Sequence, residues 1–208
     1  HKAIRRQSQM CIRDRNIISL KAMKFFKKTK SLKSACLLML MLLILPLQML
    51  AAELGEAGKR LAALPGVSKV EPLQSTCFPE KYVFFIKQQL DAKNPQAGQF
   101  EQRVVLCHRG FDRPTVLVTE GYDANYALRE GYIEELSKLF DTNIITVEYR
   151  YFDKSMPSPC NWDYLTVENS LYDLHHVNEA LHALYKGKWM ATGISKGCLL
   201  YTSPSPRD

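Results

Sequence analysis

The sequence predicts an α/β fold, and three observations carry that prediction. Its segments run as a β-hairpin followed by strand, helix, strand, helix, strand, an alternation that builds parallel crossover units onto one sheet. The apolar runs at residues 115–119 and 143–148 are short and nearly unbroken, as in strands covered on both faces. The last strand runs straight into Gly193-Ile194-Ser195-Lys196-Gly197, whose glycines permit a very sharp turn. No internal repeat interrupts this order.

The elements follow in chain order. Residues 54–64 place Leu54, Ala57, Leu61 and Leu64 at helical spacing, and Pro65-Gly66 ends that helix. Residues 82–86 and 100–108 are the two strands of the hairpin. Residues 91–98, with Asn94-Pro95 and Gly98, are the turn between them. Residues 115–119 form the next strand, and Glu120-Gly121-Tyr122 is its exit loop. Residues 127–140 are predicted helical, with Leu128, Tyr132, Leu136 and Leu139 on one face. Residues 143–148 are a buried strand, followed by an irregular loop over 150–163 that contains Pro157 and Pro159. Residues 166–185 make an amphipathic helix with Leu171, Leu174, Val177, Leu181 and Leu184 as its stripe, stopped by Gly187. Residues 188–192 are the strand that enters the glycine–serine turn.

Composition narrows the class. Of the 208 residues, 46% are hydrophobic and 24% charged, the balance of a globular chain. The formal charge of +7 is concentrated at the front, where Asp14 is the one acid before Ser34. From Glu53 onward the charges nearly balance. No Lys/Arg stripe with interleaved aromatics remains there, which argues against a nucleic-acid partner.

The segment after Met23 accounts for much of the basic excess. Lys24, Lys27, Lys28, Lys30 and Lys33 precede an apolar run over 35–50, and Ala51-Ala52 offers small residues for cleavage. That order is a secretory signal peptide. The run is shorter than the ~20 residues of a spanning helix and is interrupted by Pro46, so the membrane is met only in transit. Cys36 follows Lys33-Ser34-Ala35 at the very start of the run and is not a lipid attachment site. The expected localisation is secreted or periplasmic, an oxidising setting in which Cys77, Cys107 and Cys160 can pair. Three is an odd number, which leaves one thiol free or partnered elsewhere. Their spacing matches no zinc pattern, and neither metal nor cofactor is expected.

The two ends read differently from the body. Cys198-Leu-Leu-Tyr-Thr-Ser203 and Met10-Cys-Ile-Arg-Asp14 can be encoded by stretches that are reverse complements where they overlap. Both resemble translated adapter sequence from library preparation. Pro204 and Pro206 also cannot lie inside the helix that should follow the turn, at a cost of ~3 kcal/mol each. The expected organisation is read-through over 1–22, signal peptide over 23–52, domain sequence over 53–197 and an adapter tail over 198–208.

The glycine–serine turn carries the chemistry. Gly193-x-Ser195-x-Gly197 fits the nucleophile elbow, in which a serine at a strand end projects its Oγ clear of the sheet. Ser195 is the candidate nucleophile, and the backbone N–H of the next residue, Lys196, is a candidate oxyanion donor. The second donor is expected from the exit loop of the first parallel strand, from Gly121 or Tyr122. Glu120 is a candidate for holding a substrate's free amino group, with a solvated or capping carboxylate as the plainer alternative. Arg150, on the same edge of the sheet, is a candidate to pair with Glu120 or to bind a substrate carboxylate, against a structural role for the loop. His175, His176, Asp163 and Asp173 precede the serine. In this fold order the acid and the histidine follow it, so they are read as packing or surface residues.

Four stretches resemble the secreted serine peptidases of the S37 type, the tripeptidyl-aminopeptidase family also labelled PS-10. They are Pro114-Thr-Val-Leu-Val-Thr-Glu-Gly-Tyr122, Val147-Glu-Tyr-Arg-Tyr-Phe152, Cys160-Asn-Trp-Asp-Tyr-Leu-Thr166 and Gly187-Lys-Trp-Met-Ala-Thr-Gly-Ile-Ser-Lys-Gly197. The Arg150 stretch is also similar to the related prolyl-carboxypeptidase and dipeptidyl-peptidase group. The resemblance implies an α/β-hydrolase fold, of which this chain supplies the N-terminal half only, up to the elbow. It implies peptide substrates, release of short peptides from free amino termini, and an Asp and a His lying beyond Gly197. Two other readings share the motif: a secreted esterase or lipase on the same fold, and a non-catalytic exported binding protein that keeps the elbow as scaffold.

Overall fold

The computed structural model describes residues 53–200, with side chains through Cys198. The read-through, signal-peptide and tail assignments at residues 1–52 and beyond 200 lie outside the described residues. Among the described residues there are fourteen short elements, six of which are the strands of one mixed sheet. Its strands are β1 (Val67–Pro72), β2 (Glu80–Gln89), β3 (Gln99–His108), β4 (Thr115–Thr119), β5 (Asn143–Val147) and β6 (Trp189–Gly193). Its α-helices are α1 (Glu56–Ala62), α2 (Glu135–Phe140) and α3 (Val167–His182). The remaining elements are single 3-10 turns.

The strand order is β1-β2-β3-β5-β4-β6. The predicted hairpin is present, with β2 and β3 antiparallel over their full length, from Glu80 opposite His108 to Gln89 opposite Gln99. Beyond it, β4 runs parallel to both β5 and β6. The chain thus leaves β4 to one side to make β5, then passes back to make β6 on the other. The ends of β4 and β6 become neighbours, with Thr119 paired to Gly193. Ligands in open α/β sheets gather at this carboxyl edge, where strand order reverses.

Helices cover both faces. On one side Ala57 and Leu61 of α1 and Leu174, Val177 and Leu181 of α3 pack on Phe84, Ile86, Val104, Leu106, Leu117 and Ile145. On the other, Ala127, Leu128, Tyr132 and Leu136 lie over Val105, Val116, Val118 and Ile144. This two-sided cover explains why all five residues of β4 and all five of β5 are buried, and why their sequences do not alternate. Helix α3 is capped by Thr166, whose side chain accepts a hydrogen bond from the N–H of Asn169 at 3.1 Å.

Two expectations are corrected. The helix predicted over 127–140 is a 3-10 turn at Asn125–Leu128 and a short α2, separated by irregular chain that contains Gly131. Leu128, Tyr132 and Leu136 still reach the core, but Leu139 is 74% exposed. The second correction is β1, an edge strand absent from the predicted order. It pairs antiparallel with β2, and its register shifts between Ser68 and Glu71 where Lys69 adopts φ 51°. The bulge breaks the two-residue alternation that would have announced a strand.

Candidate active site

Strand β6 ends at Gly193, and the chain turns through Ile194 into a 3-10 turn at Ser195–Leu200. Ser195 has φ 55°, the left-handed region that a non-glycine residue enters at a cost of ~1–2 kcal/mol. The strained backbone leaves Ser195 exposed at the tip of the turn. Close backbone approach secures the bend. The Ile194 N–H donates to the Thr119 carbonyl at 3.3 Å, and the Gly197 N–H donates to the Ile194 carbonyl at 3.0 Å. A side chain at Gly197 would overlap the Thr119 carbonyl oxygen, so the turn can lie on β4 only with glycine there.

The exit loop of β4 meets the elbow directly. Gly121 has φ 81°, and a Cβ on it would fall 2.5 Å from Lys196 Cβ and 3.0 Å from Gly197 N. Backbone of the first parallel strand's loop therefore sits against the residue that follows Ser195, which brings together Gly121, Tyr122 and Lys196. Tyr122 is held from the other side, since its carbonyl accepts the Tyr149 N–H at 2.9 Å. The Lys196 side chain turns onto aromatic rings, with Nζ 3.9 Å from the Tyr149 centroid and 5.4 Å from that of Phe152. Burial lowers its pKa from the ordinary lysine value.

Glu120 is half-buried beside this loop. Burial raises its pKa, and the nearby charges of Glu134 and Asp123 push the same way, while a hydrogen bond with Tyr126 opposes them. Glu134 in turn accepts from the Tyr132 hydroxyl at 2.9 Å. Neither Asp123 nor Glu134 carried a sequence signal. Glu134 falls inside the stretch misread as helix, and only the folding of that stretch across the sheet brings it to Glu120.

Arg150 is placed elsewhere, and its reading as a substrate ligand is corrected. It is 0% exposed. Its Nε and Nη2 grip the Asp173 carboxylate at 2.7 Å each. Nη1 donates to the carbonyls of Leu90 and Tyr164 at 2.8 and 2.9 Å, and Nη2 to that of Gln89 at 3.0 Å. Five guanidinium donors meet five acceptors, which leaves none for Glu120 or a substrate. The bidentate pair holds the loop after β5 to α3 and to the end of β2. Asp173 is 1% exposed; burial pushes its pKa up to about 6 against the pull of Arg150.

A second buried network steadies the loops. Glu148 is 0% exposed and pairs with Arg103, while its Oε2 accepts from Ser155 Oγ at 2.8 Å and from the Lys154 N–H at 3.1 Å. Arg103 also reaches Asn125 at 2.8 Å and Asp153 at 3.0 Å. The segments after β4 and after β5 are thereby joined beneath the site.

The described histidines are committed away from the elbow. His108 Nδ1 lies 2.9 Å from the Tyr185 hydroxyl, His176 Nδ1 lies 2.8 Å from Gln88, His175 approaches Glu179, and the His182 ring lies tilted against Trp189. Cys77, Cys107, Cys160 and Cys198 are free thiols. Burial pushes the Cys107 thiol up to about 12. Among the described residues no group of three or more His, Cys, Asp and Glu side chains is arranged to hold a metal ion.

A mixed sheet ending in three parallel strands, with helices on both faces and a serine on a tight turn at the carboxyl edge of those strands, defines an α/β-hydrolase core. Within that class the chain belongs to the PS-10 peptidase S37 family, whose model matches residues 53–208. It is 36% identical over 145 residues to a prolyl tri/tetrapeptidyl aminopeptidase of Streptomyces mobaraensis. The match covers 69% of this chain and 29% of that protein, so the chain spans under a third of that relative's length. Among solved structures, a chain from a structural and mechanistic study of two prolyl endopeptidases aligns over 67% of this chain and 27% of its own length. Its sequence identity is 14% and the TM-score 0.37.

Proposed function

We propose that this chain is the nucleophile-bearing part of an exported serine aminopeptidase that releases short peptides, tripeptides in particular, from free amino termini. Ser195 Oγ attacks the scissile carbonyl carbon, and its proton passes to a histidine oriented by an aspartate. Both partners are placed after Ser195 in the chain order of this fold, in which the acid and the histidine follow the nucleophile. The carbonyl oxygen takes the negative charge and is held by the Lys196 N–H and by that of Gly121 or Tyr122. Glu120 receives the substrate's ammonium group. Export follows from the signal peptide read at residues 23–52.

One observation carries the reading: an exposed serine at φ 55° whose following residue packs against the glycine of the β4 exit loop. Membership of a peptidase family supports peptides as substrates.

The test is to express the chain extended by the downstream coding sequence of its locus. The extended protein should hydrolyse tripeptidyl anilides with a free amino terminus about ten- to a hundredfold better than N-acetylated ones, the worth of one charge-assisted hydrogen bond. A fluorophosphonate should label it, and Ser195→Ala should abolish both signals. Equal rates on blocked peptides or simple esters would overturn the aminopeptidase reading. Full activity in Ser195→Ala would overturn the nucleophile assignment.

A further inference from the structure

We infer that the Lys196 side chain is a positioning group for the oxyanion hole, clamping the exit loops of β4 and β5 against the elbow through its seat on the Tyr149 and Phe152 rings. The inference rests on the reading of Ser195 as the nucleophile and adds a role which that reading does not require.

The geometry converges on this one side chain. The first part of its stem lies against Gly121, where a Cβ would sit 2.5 Å from Lys196 Cβ and 2.9 Å from Cγ. Its ammonium, 3.9 and 5.4 Å from the two ring centroids, is within the ~6 Å over which a cation is attracted to an aromatic face. The rings belong to the β5 loop and are tied to the β4 loop. Tyr122 meets Phe152 edge-on at 5.4 Å, Tyr149 meets Phe152 at 6.4 Å, and the Tyr149 N–H donates to the Tyr122 carbonyl at 2.9 Å. Tyr149 is itself 6% exposed, so the platform beneath the ammonium is fixed. Partial desolvation, which lowers the lysine's pKa, also strengthens its attraction to the rings compared with an exposed pair.

The catalytic consequence follows from which backbones are joined. One oxyanion donor is the N–H of Lys196, and the other comes from Gly121 or Tyr122. The side chain of the first residue packs on the second and is anchored on the loop hydrogen-bonded to the third. The separation of the two donors is therefore set by this clamp. A tetrahedral oxyanion needs both donors at ~2.7–3.1 Å, and a displacement of about 1 Å costs about a hundredfold. The neutral ground-state carbonyl depends far less on that spacing.

Lys196→Met keeps the stem and removes the charge, whereas Lys196→Arg keeps a cation that also stacks on aromatic faces. In the extended protein, K196M should lower kcat by about ten- to a hundredfold with KM within about twofold. Affinity for a peptide aldehyde, which forms the tetrahedral adduct, should fall in parallel, and K196R should recover to within about fivefold of the parent. In the 208-residue chain, hydrogen exchange at the Tyr149 amide should accelerate in K196M and stay near parental in K196R. Accelerated exchange throughout the sheet in K196M would mean a merely structural lysine and would overturn the inference. So would a K196M kcat within about twofold of the parent in a protein that Ser195→Ala inactivates, and that result would leave the nucleophile reading intact. An active Ser195→Ala would instead overturn the nucleophile reading.

Discussion

The loops that leave β5 and β6 exit the same edge of the sheet, and each carries a cation, yet the two are built in opposite ways. Arg150 is wholly buried, and its five donors meet five fixed acceptors. The elbow after β6 presents an exposed serine in a strained backbone, beside a lysine whose ammonium lies over two aromatic rings. Both stretches contributed to the sequence resemblance. The contrast shows that a charged residue at a ligand-binding edge is not thereby a ligand. What separates the two is whether the polar groups are already used by the fold.

The sharpest way to break this contrast is Arg150→Met. It would leave the Asp173 carboxylate and three carbonyls without their donors and should cost about 3–5 kcal/mol, measured by urea unfolding of the folded chain. Arg150→Met combined with Asp173→Leu should recover most of that loss, because two buried charges are then removed together. A single variant as stable as the parent would show that the buried pair is not a strut.

Ser195→Gly tests the opposite loop. Glycine relieves the positive φ, so the variant should gain about 1 kcal/mol in the same titration while losing every serine-dependent activity. A loss of stability would mean that the turn is not strained.

A smaller effect should appear with pH. His108 is held below the ordinary histidine range, chiefly by burial, with the charge of Glu80 opposing. The unfolded chain therefore takes up the proton first as pH falls below about 6.5. The stability contributed by neutral His108 is complete above that pH and declines towards the depressed folded value. His108→Gln should flatten part of the fall in stability between about pH 7 and pH 5, followed by urea midpoint. His176, also lowered mainly by burial, contributes in the same direction. A slope unchanged by His108→Gln would place the titration elsewhere.

Much of the framework was legible because local patterns and packing agree. Strand β4 was read at its observed limits, since Val116, Leu117 and Val118 are apolar on both faces and bounded by Pro114 and Glu120. Helix α3 was legible from its Leu174, Val177 and Leu181 spacing and from Gly187 beyond its end. Strand β1 was hidden by its bulge. The overextended helix at 127–140 failed for another reason. Apolar residues every four positions can be buried just as well by irregular chain lying flat on a sheet.

The candidate site divides along the same line. By itself the sequence determined a serine between two glycines at the end of a strand, because that turn is a local backbone requirement. The tertiary structure alone decided that Gly121 lies against Lys196, that Glu134 joins Glu120, and that Arg150 is consumed by Asp173. Those meetings depend on β6 crossing back to the far side of β4 and on α3 packing over the hairpin. Contacts between residues 14, 23 and 75 positions apart arise from that packing and from the 127–140 stretch folding across the sheet, and no local pattern records them.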